Sequence, residues 1–225
     1  MGDKGCCGSY GNGKMVIKPM RMALAAIFLA FAAPAKADPY QIVGFGDSLM
    51  AGYGLQNGES FTDKLQAALK AKGHDVVISN AGVSGDTSSG GLSRLDWSIP
   101  DGTNLVILEL GANDMLRGID PALTEKNLDT MLANLKKRGI PVMLAGMRAA
   151  PNLGPDYQAK FDAIYPRLAE KYGVTLYPFF VDGIVADKTY LLEDGMHPNA
   201  AGIDRMVERI LPTVEKVIVS NGKAS

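Results

Sequence analysis

Three side chains of this sequence have the types and spacing for acyl-transfer chemistry: a hydroxyl at Ser48, an imidazole at His197 and a carboxylate at Asp194. A serine hydroxyl is a weak nucleophile until a neighbouring base takes its proton. With only two histidines in the chain, the base can be sought by elimination. His74 follows Gly73 and precedes an apolar run, at the amino end of an expected strand. His197, in EDGMHPN, follows the last strand-like run and leads into the last helical segment. Ligands of parallel α/β sheets bind beyond the carboxyl ends of the strands, so His197 alone is placed to serve. Asp194, three residues earlier, can accept the Nδ1 proton and leave Nε2 for the serine. Pro198 confines the backbone of His197 to an extended form. Plainer readings exist: Ser48 or Asp47 as a helix cap, the better reading of Ser48 taken alone, and Asp194-Gly195 as a simple turn.

A tetrahedral oxyanion also needs donors aimed at it. Two segments at the same expected sheet edge offer them: NAGVSGDTSSGG (80–91), with glycines that can turn N–H groups toward a ligand, and GANDMLRG (111–118), with the Asn113 amide. Each segment alone could be an ordinary turn. The first loop, GFGDSLMAGYG, is not a dinucleotide fingerprint, since Leu49 stands where the third glycine belongs. Nor is it a nucleophile elbow, because Met50 stands two residues after Ser48.

The elements that must position these groups follow from periodicity. Runs at 40–46 (YQIVGFG), 75–80 (DVVISN), 104–110 (NLVILEL), 141–146 (PVMLAG) and 175–179 (TLYPF) read as five short strands. Between them Phe61, Leu65, Ala68 and Leu69 share a helix face, as do Leu128, Met131, Leu132 and Leu135, and then Phe161, Ile164, Leu168 and Tyr172. A final helix is expected over 200–219. Gly73, Gly139 and Gly173 follow Lys, Arg or Tyr-terminated helical segments as stop signals. Alternating strands and helices imply a parallel sheet covered on both faces, a three-layer α/β/α sandwich with a five-stranded, mainly parallel sheet of the flavodoxin-like type.

Residues 22–33 (MALAAIFLAFAA) form an apolar run preceded by Lys14, Lys18 and Arg21 and followed by Ala35-Lys36-Ala37. That pattern is a secretory signal with cleavage after Ala37, and the run falls short of the ~20 apolar residues of a membrane span. Residues 1–37 are therefore expected to be removed, leaving 38–225 as one exported domain with no membrane anchor. Met15 is a better start for such a leader than Met1, whose Gly-rich extension is long for a charged n-region. Of the 225 residues 47% are hydrophobic and 21% charged, the balance of a folded domain. Five of the 23 basic and one of the 24 acidic residues lie in 1–37, so the remainder carries 18 against 23 and a formal charge of −5. A nucleic-acid partner is not expected. Both cysteines, Cys6 and Cys7, belong to the leader, which leaves the domain no disulfide or thiolate, and one usable histidine makes a poor metal set.

The segments GDSL, SGDT, GANDMLRG and DGMHPN, in that order, resemble the four blocks of the SGNH hydrolase (GDSL lipase/esterase) superfamily. The likeness runs from the first strand to the last helix and is greatest to the group of periplasmic thioesterase I/lysophospholipase L1 and arylesterase enzymes. It implies Ser48 as nucleophile, His197 as base and then acid, and Asp194 as its orienting carboxylate. It also implies an oxyanion hole made by the N–H of Ser48, the N–H of Gly85 and the side-chain amide of Asn113. Spacing alone leaves Gly82 beside Gly85; the SGDT block favours Gly85. The Pro-rich loop MRAAPNLGPDY (147–157) resembles the arylesterase branch and implies a small apolar substrate surface from Met147, Ala149, Ala150, Pro151 and Leu153. No metal or cofactor is implied. The expected activity is serine hydrolysis of aryl and short-chain acyl esters, with lysophospholipids and acyl thioesters as further substrates, by a monomer in the periplasm or medium. A carbohydrate O-deacetylase or acyltransferase with the same blocks, and a binding module without chemistry, are the alternatives.

Overall fold

The structure, a computed structural model, describes residues 7–14, 38–185 and 187–222. The folded domain belongs to Asp38–Ser225. Residues 7–14 are exposed and without regular secondary structure, and the rest of the expected leader lies outside the described residues.

The domain runs β1 (Tyr40–Gly46), α1 (Ser48–Ala51), α2 (Phe61–Ala71), β2 (Val76–Gly82), α3 (Ser88–Ser98), β3 (Leu105–Glu109), α4 (Ala112–Leu116) and α5 (Pro121–Lys137). It continues with β4 (Val142–Ala145), a 3-10 turn (Pro151–Leu153), α6 (Pro155–Asp162), α7 (Ile164–Tyr172), β5 (Thr175–Tyr177), a second 3-10 turn (Lys188–Tyr190) and α8 (Ala200–Ser220). The five strands form one sheet in the order β2-β1-β3-β4-β5, and every pairing is parallel. This is the expected sandwich, with a sheet that is wholly rather than mainly parallel.

Parallel strands covered on both faces should be apolar throughout, and every residue of β3 and β4 is buried. The edge strand β2 is not: Val77 and several neighbours are exposed or half-exposed. Apolar faces of the helices close the core. On α2, capped by Ser60 through its bond from the Asp63 N–H (3.2 Å), Phe61, Leu65 and Leu69 point inward. On α5, which opens with Asp120 as cap and Pro121, the buried face includes Leu128, Met131, Leu132 and Leu135, as the periodicity predicts.

Two expectations change. The single helix face drawn from Phe161 to Tyr172 belongs to two helices, α6 and α7, separated at Ala163. Pro166 lacks an N–H and its ring clashes with the carbonyl four residues back, that of Asp162, where α6 stops. The segment 80–91, read as a loop, enters α3 at Ser88 despite Gly90 and Gly91. Thr87 caps that helix by accepting the Gly90 N–H, and a Cβ at Gly91 would collide with Leu110. Close packing against β3 demands a glycine that intrinsic helix preference disfavours.

Candidate active site

The carboxyl ends of β1, β2 and β3 deliver the candidate groups to one edge of the sheet. After β1 the chain turns at Asp47, whose carboxylate accepts the Leu49 N–H (3.0 Å) and caps the one-turn helix α1. Ser48 is thus the first residue of α1 and Asp47 its cap, which separates the two roles that the sequence left open for Ser48. The turn is tight: a Cβ at Gly46 would overlap Glu109 and Met50.

His197 reaches Ser48 from the far end of the chain on a pinned loop. Its carbonyl accepts the Leu192 N–H (2.8 Å), the Asn199 N–H donates to Tyr190 (2.9 Å), and Leu191 and Pro198 form an antiparallel bridge. Asn199 then caps α8 by accepting the Gly202 N–H (3.0 Å). The result is a continuous line: Ser48 Oγ to His197 Nε2 at 2.9 Å, and His197 Nδ1 to Asp194 Oδ2 at 2.6 Å. The other Asp194 oxygen, Oδ1, accepts the N–H groups of Met196 and His197, both at 2.9 Å. Those two backbone donors and the imidazole hold the Asp194 carboxyl at about 2. Tyr53 lies against the imidazole, ring centroids 4.5 Å apart. His74, by contrast, sits beside β2's amino end and meets Glu215 at 3.3 Å, away from Ser48.

The candidate oxyanion donors gather at the same place. Gly85 borders the cavity beside Ser48 and holds a left-handed φ of 83°, and its carbonyl accepts from Arg117 Nη2 (2.7 Å). Its N–H donates to no described residue, whereas the Gly82 N–H is taken by Asn80 Oδ1 (2.9 Å), so Gly85 is the glycine with a free donor. Asn113 extends from the first turn of α4 and gives one Nδ2 hydrogen to Asp47 Oδ2 (3.0 Å), leaving the second for a ligand.

Beneath Ser48 lie two acids. Asp47 is fully buried and its carboxyl is raised by burial to about 6. Glu109, also fully buried at the end of β3, accepts the Asp47 N–H at Oε2 (3.2 Å), while its Oε1 has no partner. Burial, and then the charge of Asp47, push the Glu109 carboxyl well above the usual carboxylate range. The sequence reading passed over Glu109; a lone acid in the apolar run NLVILEL was the available signal.

A cavity of about 610 Å³ opens over Ser48, His197, Gly85 and Asn113. Of the residues expected to form a substrate surface, Met147, Ala149, Ala150 and Pro151 line it. Leu153 does not: it ends the 3-10 turn after Ala150 and packs on the core instead. Further lining comes from residues that the sequence reading did not assign to the site, among them Phe179, Ile184 and Leu191. Among the described residues no three His, Cys, Asp or Glu side chains converge as a metal site would, and no helix is long and apolar enough to cross a membrane.

A parallel α/β/α sandwich that carries serine, imidazole and carboxylate in one hydrogen-bonded line at its carboxyl edge defines a hydrolase of the SGNH class. The chain belongs to the GDSL-like Lipase/Acylhydrolase family, whose sequence model matches residues 45–205. It is 38% identical over 180 residues to an arylesterase of Vibrio mimicus, covering 80% of this chain and 90% of that one. It is 37% identical over 174 residues to esterase TesA of Pseudomonas aeruginosa, covering 77% and 87%. The crystal structure of AlinE4, an SGNH-hydrolase family esterase, superposes with a TM-score of 0.69 at 46% identity over 82% of this chain and 99% of that one. The protein is a carboxylic ester hydrolase of the SGNH type.

Proposed function

We propose that hydrolysis proceeds through an acyl-enzyme on Ser48. The observation that carries this reading is the unbroken line from Ser48 Oγ through His197 to Asp194. His197 Nε2 takes the hydroxyl proton as Oγ adds to the carbonyl carbon. The oxyanion forms between the N–H groups of Ser48 and Gly85 and the second hydrogen of Asn113 Nδ2. His197 then gives its proton to the departing alcohol or thiol, and water attacks the acyl-enzyme by the same route in reverse. Asp194 remains ionised and stabilises the imidazolium.

The substrates are aryl and short-chain acyl esters, and the reading extends to lysophospholipids and acyl thioesters. Apolar walls from Met147, Ala149, Ala150 and Pro151 support it, as do the names of the relatives: an arylesterase in V. mimicus, and a "Thioesterase 1/protease 1/lysophospholipase L1" of Escherichia coli that is 35% identical. The working form is a monomer, exported to the periplasm or medium after removal of residues 1–37.

Covalent labelling by a fluorophosphonate with release of fluoride is the test. Wild type should label at Ser48 and hydrolyse 4-nitrophenyl acetate; Ser48→Ala should neither label nor turn over above ~10⁻⁴ of wild type. Near-wild-type hydrolysis by Ser48→Ala would overturn the assignment.

A further inference from the structure

Among the described residues, one permanent cation interrupts the apolar wall of the cavity. Arg148, in the loop after β4, lines it together with Phe179, and its guanidinium lies 5.1 Å from the centre of that ring. The neighbouring backbone is fixed, because the Ala149 N–H donates to Asp162 Oδ1 (2.7 Å). The other arginines among the described residues each donate to a protein acceptor, as Arg94 does to Asp86 and Arg117 to the Gly85 carbonyl. Arg148 makes no hydrogen bond and no ion pair with any described residue.

No acid among the described residues pairs with this charge: Asp162 accepts the neighbouring Ala149 N–H. Asp47 is committed to the Leu49 N–H and to Asn113, and Asp194 to His197. Contact with an aromatic ring engages the face of a guanidinium and leaves its N–H edge open. That edge is a planar fork that fits the two oxygens of a carboxylate or phosphate. Residues 38–225 carry a formal charge of −5, so the domain as a whole does not attract anions. Preference for an anionic ligand has to come from a local cation, and Arg148 is the one the cavity wall presents.

We propose that Arg148, held over Phe179, is an anion subsite, so that the ester this protein prefers carries a carboxylate or phosphate group away from the scissile carbonyl. The inference rests on Ser48 as the nucleophile of the same cavity. The anionic group can belong to the acyl part or to the alcohol part, and paired substrates separate the two.

The acyl arm compares mono-4-nitrophenyl glutarate with 4-nitrophenyl butyrate. The alcohol arm compares a 1-acyl glycerol 3-phosphate with the 1-acyl glycerol of the same short chain. In one arm, the ratio of kcat/KM for the anionic over the neutral twin should fall about fivefold in Arg148→Gln, through KM, and recover in part in Arg148→Lys. Raising salt should lower the ratio for wild type and leave it flat for Arg148→Gln, a readout that a folding defect does not produce. The arm in which the ratio moves identifies where the anion sits. Ratios unmoved in both arms overturn the subsite. Hydrolysis surviving in Ser48→Ala overturns instead the nucleophile assignment on which it rests.

Discussion

Carboxylates approach the Ser48–His197 pair from two sides, and their surroundings give them opposite characters. Asp194 stands at the outer side on an exposed loop, where two backbone N–H groups and an imidazole all favour its charged form, and its carboxyl is held at about 2. Asp47 and Glu109 stand at the inner side, fully buried with no cation among the described residues paired to either, and both are shifted the other way. Two ionised carboxyl groups cannot share a dry pocket at small cost, so burial favours a proton on the inner pair. The same functional group therefore does two jobs. The outer one is a permanent anion that stabilises an imidazolium; the inner two form a hydrogen-bonding scaffold, in which Asp47 holds α1 and Asn113 and Glu109 holds the Asp47 N–H.

The largest effect that can break this comparison comes from the outer side. Asp194→Asn should lower kcat of ester hydrolysis by roughly 10³-fold, because the amide fails to hold the imidazole in the useful tautomer and supplies no charge. Asp47→Asn keeps an acceptor for the Leu49 N–H and should cost about tenfold or less. Equal losses in the two variants would show that both carboxylates act through charge. Next in size is Asn113→Ala, which should lower kcat by roughly 10²-fold to 10³-fold with little change in KM, as expected of a donor used in the transition state. A change confined to KM would move Asn113 from the oxyanion to ground-state binding.

A smaller effect tests the inner side directly. Glutamine copies the shape and hydrogen bonding of a protonated glutamate, so Glu109→Gln should retain activity within about threefold. Glu109→Ala opens a cavity under the turn at Gly46 and should cost roughly 2 kcal/mol of stability in urea unfolding. A hundredfold loss of kcat in Glu109→Gln with normal stability would mean that Glu109 works as an anion.

The two sides also differed in how legible they were. Asp194 and His197 lie three residues apart in one loop, and the strand edges excluded His74, so the outer side could be read from local spacing. The inner side depends on register: Glu109 faces Asp47 because β1 and β3 pair with Phe45 opposite Leu108. In the sequence Glu109 is one acid at the end of an apolar run, and nothing local says what it meets. The same holds for the strands. β1 was read at its observed bounds, but β2 extends to Gly82, two residues beyond the apolar signal, because it pairs with β1 up to Gly46. Other lining residues were hidden for another reason: Phe179, read inside the fifth strand run, lies beyond the end of β5 at Tyr177, and Ile184 and Leu191 sit in a turn and a one-residue bridge that leave no periodic trace.

The smallest expected effects concern stability against pH, and their signs are opposite. Asp47 has a folded value of about 6, above the ~3.9 of an unfolded aspartate. Its favourable contribution is complete below ~pH 3.9 and is lost as the pH rises through about 6. Asp194, at about 2 when folded, contributes stability above ~pH 3.9 that is lost as the pH falls toward about 2. Asp47→Asn should therefore flatten the decline in unfolding free energy between about pH 4 and 7. Asp194→Asn should flatten the acid decline, by less, because its partly exposed carboxylate is screened by solvent. Urea unfolding of wild type and both variants from pH 3 to 8 measures this. If Asp47→Asn left the slope above pH 4 unchanged, the buried carboxyl would be ionised throughout, and the contrast between the two sides would fail at its inner end.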